Sequence, residues 1–188
     1  RRYDTFNPAA YLAGQIQRAS VQVTERRQRA RYAAAADATM RVLLRHRRVA
    51  AASGHWYWSY SVQQALPNDL PHAGYMIAGI RAYIEHGGRL ADQFDWYAVL
   101  NHLHDFRGEA GEVRAFPRFF AGMKLAARSY DLGFALHLAC TESALGALGR
   151  SLFDAVQQYR TPLARYLKYP RGTPSMPELV VNEYEAYL

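Results

Sequence analysis

A single cysteine in 188 residues excludes an internal disulfide and any zinc site built on cysteine pairs. Lysine is nearly absent too, present only at positions 124 and 168, so arginine carries the positive charge. No run approaches the roughly 20 apolar residues of a membrane-spanning helix. No His-Glu-x-x-His or Cys-x-x-Cys pattern, Gly-x-Ser-x-Gly elbow, phosphate-binding glycine loop or dinucleotide fingerprint occurs. Metal, cofactor and nucleophilic-hydrolase chemistry therefore have no motif behind them, and no cofactor is expected. Nothing in the chain names a compartment.

What is present is apolar and basic. Half of the residues are hydrophobic and 21% are charged, a balance that argues against disorder and for one helical domain over 1–188. Net charge is +7, which favours anionic partners such as acidic polysaccharide, nucleic acid or phosphorylated ligands. Much of it is concentrated in Arg26, Arg27, Arg29, Arg31, Arg41, Arg45, Arg47 and Arg48. Guanidinium forks suit carboxylate and phosphate, although a solvated helix face also accounts for such a run. Cys140, in the apolar run 136–140, is expected to be a small buried hydrophobe.

The pattern predicts helices almost throughout. Residues 24–52 hold strong helix formers and neither glycine nor proline, with Ala33, Ala36, Met40, Leu43 and Leu44 as the buried stripe. Ser53-Gly54 ends that helix, and 55–66 reads as an ordered loop. Asp69 is the expected cap of a helix reaching His86, with Pro71 tolerated in its first turn and Gly87-Gly88 stopping it. Further helices are expected over 92–106, 114–128, 131–148, 150–160, 162–169 and 178–188, with a turn at 108–111 and a loop at 170–177. The segments at 68–73 and 130–135 share an Asp-Leu-x-x-Ala core, as a helix-pair repeat would. The fold class that follows is all-α, built of antiparallel helical hairpins.

Two stretches carry chemistry-bearing side chains. In 55–60, Trp56, Tyr57, Trp58 and Tyr60 offer flat faces with polar edges, suited to stacking on sugars or nucleobases, or to plugging the mouth of the core. In the helix after Pro67-Asn68-Asp69, His72 and Tyr75 lie on adjacent faces, where a neutral imidazole can act as a base. His102, His104 and Asp105 invite a metal, but residues two apart on a helix diverge, so no metal site is expected there.

The aromatic run 56–60, followed by Pro67-Asn-Asp-Leu-Pro-His-Ala73 and a helix to Tyr83, resembles segments of the α/α-toroid carbohydrate-active proteins related to glucuronyl C5-epimerases and uronate lyases. The likeness covers about 30 residues and implies a toroid of helical hairpins with its ligand groups at one open end. The chain supplies about three or four hairpins against six pairs in a closed ring, so a partial toroid within a larger protein is the expectation. The implied activity is proton abstraction beside a uronate carboxylate in an acidic polysaccharide. His72 or Tyr75 would be the base, Tyr57 or Tyr60 the proton donor, and Arg81 or Arg128 the carboxylate neutraliser. Trp56, Tyr57, Trp58 and Asn68 would bind substrate. The competing expectation is a non-enzymatic basic helical module for nucleic acid or an acidic protein partner.

Overall fold

The computed structural model describes residues 5–120, 127 and 132–155. Over these residues the chain is mostly helical, with one two-stranded antiparallel hairpin. Expectations at Arg128, at an Asp131 cap and beyond residue 155 lie outside the described residues.

The first helix, α1 (Phe6–Ser20), was not anticipated from the sequence, although Pro8 falls in its first turn, where a missing N–H costs nothing. It crosses α3 (Leu70–Glu85) backbone against backbone. A Cβ on Gly79 would sit 2.5 Å from the carbonyl of Ala10, and one on Gly14 2.2 Å from the oxygen of Gly79. Only glycine permits this approach. Gln17 then ties the far ends together by donating from Nε2 to the carbonyl of His86 at 2.9 Å.

The second helix, α2 (Arg26–His46), begins on Glu25, whose carboxylate accepts the N–H groups of Arg27 and Gln28 at 2.7 and 2.6 Å. It stops six residues short of the expected end. Trp58 donates its indole N–H to the Leu43 carbonyl at 2.8 Å and Arg47 donates to Leu44, so side chains take up terminal carbonyls that further helix would have occupied. The chain instead forms β1 (Arg48–Val49) paired with β2 (Trp56–Tyr57), with Arg48 opposite Tyr57 and Val49 opposite Trp56. Part of the expected loop is therefore strand, turned by Gly54 at φ 74°.

α3 follows its expected course. Asp69 caps it, and Gly87 at φ 69° ends it, with Gly87 and Gly88 donating to the carbonyls of Ile84 and Tyr83 at 3.1 and 3.0 Å. Residues 92–106 are broken rather than continuous: a 3₁₀ turn at Ala91–Gln93, α4 (Trp96–Asn101) capped by Asp95, and a 3₁₀ turn at His102–Phe106. Glycine 111, at φ 91°, turns the chain near the expected place. Residues 114–120 are not helical. Their backbone is committed elsewhere: Arg114 N–H to Phe106, Arg118 N–H to Asp105, and the Ala115 carbonyl to the first N–H of α3, at 2.8, 2.7 and 2.9 Å. The expected 131–148 helix divides into α5 (Gly133–Thr141), a 3₁₀ turn at Ser143–Leu145 and helical residues 146–155. α5 packs on α3 where Gly74 leaves room for Phe134.

One continuous core joins these elements through Met40, Leu43, Trp58, Met76, Ile80, Tyr83, Leu100, Phe106 and Leu138. Its polar tie is Tyr83, whose hydroxyl donates to Asp37 at 2.6 Å and accepts from Leu90 N–H at 2.9 Å. Burial first, and the Asp37 carboxylate second, push that phenol far above its ordinary range. Cys140 is exposed, a correction to its expected burial, because the face of α5 turned to the core is Ala135 and Leu138. No described helix is long and apolar enough to cross a membrane.

Candidate acid–base site

The start of α3 is held by the segment 58–68. Asn68 N–H donates to the Trp58 carbonyl at 3.0 Å, Tyr60 N–H to Leu66 at 3.0 Å, and Phe6 N–H to Tyr60 at 3.1 Å. This fixes Tyr60 beside the first turn of the helix. Asp69 accepts the His72 backbone N–H at 3.2 Å through Oδ1, and the same oxygen makes a short contact with His72 Nδ1. The carboxylate is thus both helix cap and imidazole clamp. With Nδ1–H donated to Asp69, Nε2 is the nitrogen left to accept a proton. The Tyr60 ring meets the imidazole edge-on, centroids 5.0 Å apart at 87°.

Both members of this couple see water, with side-chain exposures of 37% for His72 and 28% for Asp69. One turn further along α3, Tyr75 stacks on Tyr11 of α1 at 4.1 Å and meets Phe134 of α5 edge-on at 4.9 Å. Burial raises the Tyr75 phenol, and the neighbouring Tyr11 adds to the shift. That keeps Tyr75 protonated and makes it a poorer base than an imidazole at neutral pH.

The remaining candidates separate. Trp58 is 1% exposed and spends its N–H on Leu43, so it presents no face to a ligand; it plugs the core. Asn68 is also 1% exposed, with Nδ2 against the Met76 sulfur and Oδ1 without a partner, which removes it from a substrate surface. Trp56 is half-buried beneath the Arg47 guanidinium, 4.3 Å from the ring centroid. Tyr57 lies against Phe119 and His102. Arg81 is not a free carboxylate neutraliser. Its Nε is 2.7 Å from Glu85 and 3.6 Å from Glu142, and Nη1 donates to Thr141 at 2.6 Å, a strut from α3 to the end of α5.

A second cluster joins His102 and Asp105, which the sequence singles out, to His55, which it does not. The carboxylate of Asp105, 1% exposed, takes His55 Nδ1 at 3.1 Å on both oxygens and His102 Nδ1 at 3.0 Å on Oδ2. His102 is equally buried, and its Nε2 has no partner. The His102–Asp105 spacing of three residues is the one local signal that pointed here; His55, fifty positions away, left none. His104 turns off to the Ala144 carbonyl at 2.9 Å, away from His102. Among the described residues, no group of three or more His, Cys, Asp or Glu side chains is arranged to hold a metal ion. Comparison of the chain with protein-family models, curated proteins and solved structures finds no match in any of the three.

Proposed function

We propose that the protein acts on an acidic polysaccharide by abstracting the proton beside a uronate carboxylate, as a lyase or epimerase, with its helical hairpins forming part of an α/α toroid. The observation that carries this reading is the half-exposed His72, clamped at Nδ1 by Asp69 and edge-on to Tyr60. An imidazole oriented in this way is a ready general base.

In the elimination, His72 Nε2 takes the C5 proton, the freed electron pair forms the C4–C5 double bond, and the C4–O4 bond breaks. The Tyr60 hydroxyl gives its proton to the departing oxygen. In the epimerisation no bond to oxygen breaks, and the carbanion is reprotonated from the opposite face. Negative charge gathers on the substrate carboxylate in both, so a cation must meet it. Arg81 is already neutralised by Glu85 and Glu142, and Arg128, the other candidate, lies outside the described residues. The stacked Tyr11 and Tyr75 offer an apolar edge one helical turn away, suited to a sugar ring.

The test is incubation with polyuronates, following absorbance of the unsaturated product and, in D₂O, deuterium uptake at C5. His72→Gln should lower turnover by about 100-fold or more with an unchanged melting temperature. Neither product nor exchange on any polyuronate would remove the proposal.

A further inference from the structure

Among the described residues, α2 carries a long exposed surface of unpaired arginines. Every residue over 26–35 is exposed except the half-buried Ala33, and the helix buries only Ala36, Asp37, Met40, Leu43 and Leu44. At about 100° per residue, Arg27, Arg31, Arg41 and Arg45 fall within an arc of about 80° on the exposed side of the helix, with Arg31 opposite the buried positions and Arg41 at their edge, one turn on from Asp37. They form a straight row about 27 Å long, with Ala34 and Ala38 between its two halves. None of the four makes an ion pair among the described residues. Asp37, the one acid in the helix, is buried and engaged by Tyr83 and Arg89. Like charges spaced i,i+4 work against the helix, and an anion lying along the row would relieve them.

From these observations we infer that the arginine row of α2 binds the extended acidic glycan chain and holds it for the acid–base site. The inference rests on the reading of His72 only for where that chain leads. Guanidinium forks match carboxylates in bidentate fashion, and the two alanines leave the middle of the row low enough for sugar rings to lie on the helix. Over its C-terminal half the row is one residue wide, which suits a single line of charges better than the two phosphate rows of a duplex. From its C-terminal end a series of contacts leads toward the candidate site. His46, next to Arg45, packs its ring on Phe6 at 5.3 Å, and Phe6 donates to the carbonyl of Tyr60.

The experiment replaces Arg27, Arg31, Arg41 and Arg45 by Gln together in the full chain, with far-UV circular dichroism confirming the helix. Binding of long polygalacturonate, of a short uronate oligomer and of single-stranded DNA is then measured at low and high salt. The expected result is at least tenfold weaker binding of the polymer, an unchanged kcat on the oligomer, and a salt dependence that disappears with the arginines. Equal polymer affinity in the variant overturns the inference and leaves the His72 reading standing. Tighter binding of DNA than of polygalacturonate overturns the assignment of the ligand. Arginine-dependent polymer binding by a protein that turns over no uronate supports the row and refutes the reading of His72.

Discussion

Two aspartates in this fold grip histidine rings at Nδ1, and the two sites differ in how much water they see. At the start of α3 the Asp69–His72 pair is roughly one-third exposed, and the carboxylate doubles as a helix cap. Where the 3₁₀ turn meets the hairpin, Asp105 is buried and shared by His102, equally buried, and by His55 at 20% side-chain exposure. The same hydrogen bond therefore serves different ends. In the exposed pair it orients a ring whose second nitrogen can meet a ligand; in the buried cluster it joins segments distant in sequence and satisfies donors that water cannot reach.

The sharpest way to break this contrast is to remove each carboxylate in turn. Asp105→Ala strands the Nδ1–H of His102 without water or carboxylate and leaves unfilled volume, and should cost about 3 kcal/mol in urea unfolding. Asp69→Ala removes a cap whose N–H groups can turn to solvent, and should cost about 1 kcal/mol. Equal losses would mean that burial does not divide the two sites.

A smaller effect is expected from acid. Burial lowers the His102 imidazole below its usual 6.5, and the Asp105 carboxylate opposes that shift without overcoming it. Burial also pushes Asp105 up, but hydrogen bonds and charge from His102 and His55 outweigh it and hold the carboxyl below 3.8. In each case the unfolded chain takes up protons more readily, so stability falls as pH falls. The His102 contribution is complete above 6.5 and lost as the pH drops through its folded value, and that of Asp105 is complete above 3.8 and lost beneath it. The urea midpoint should therefore decline as the pH falls below 6.5, and His102→Gln should flatten that decline. A midpoint already flat in the unaltered protein would contradict the buried, neutral state of His102.

Legibility in the sequence tracks how local each contact is. The α3 helix could be read because its cap, proline and glycine stop all lie within the segment itself, and the same three-residue spacing links Asp69 to His72. The end of α2 was hidden because Trp58, fifteen residues away, supplies the group that closes it. The strand β2 was hidden for the same reason, since its partner precedes it across a turn. In 114–120 helical composition yields to tertiary bonds with Phe106, Asp105 and Leu70, which no window on the segment itself contains. Trp58 looked like a stacking platform because an aromatic ring in a binding surface and one in a core have the same local pattern; only its burial separates them.

Asp69→Asn asks whether the exposed pair has a role besides that of a cap. Asparagine caps helices about as well as aspartate, so stability should change by only a few tenths of a kcal/mol. Its side chain, however, carries no charge to stabilise a protonated imidazole, and its amide can present a donor to Nδ1 in place of an acceptor. The ring would then favour the tautomer with the proton on Nε2, the atom proposed to accept one. Turnover on polyuronate should fall by about 10-fold or more at unchanged melting temperature, with the loss in kcat rather than in KM. Activity equal to that of the unaltered protein would leave Asp69 as a cap alone, and the contrast with Asp105 would then be one of stability only.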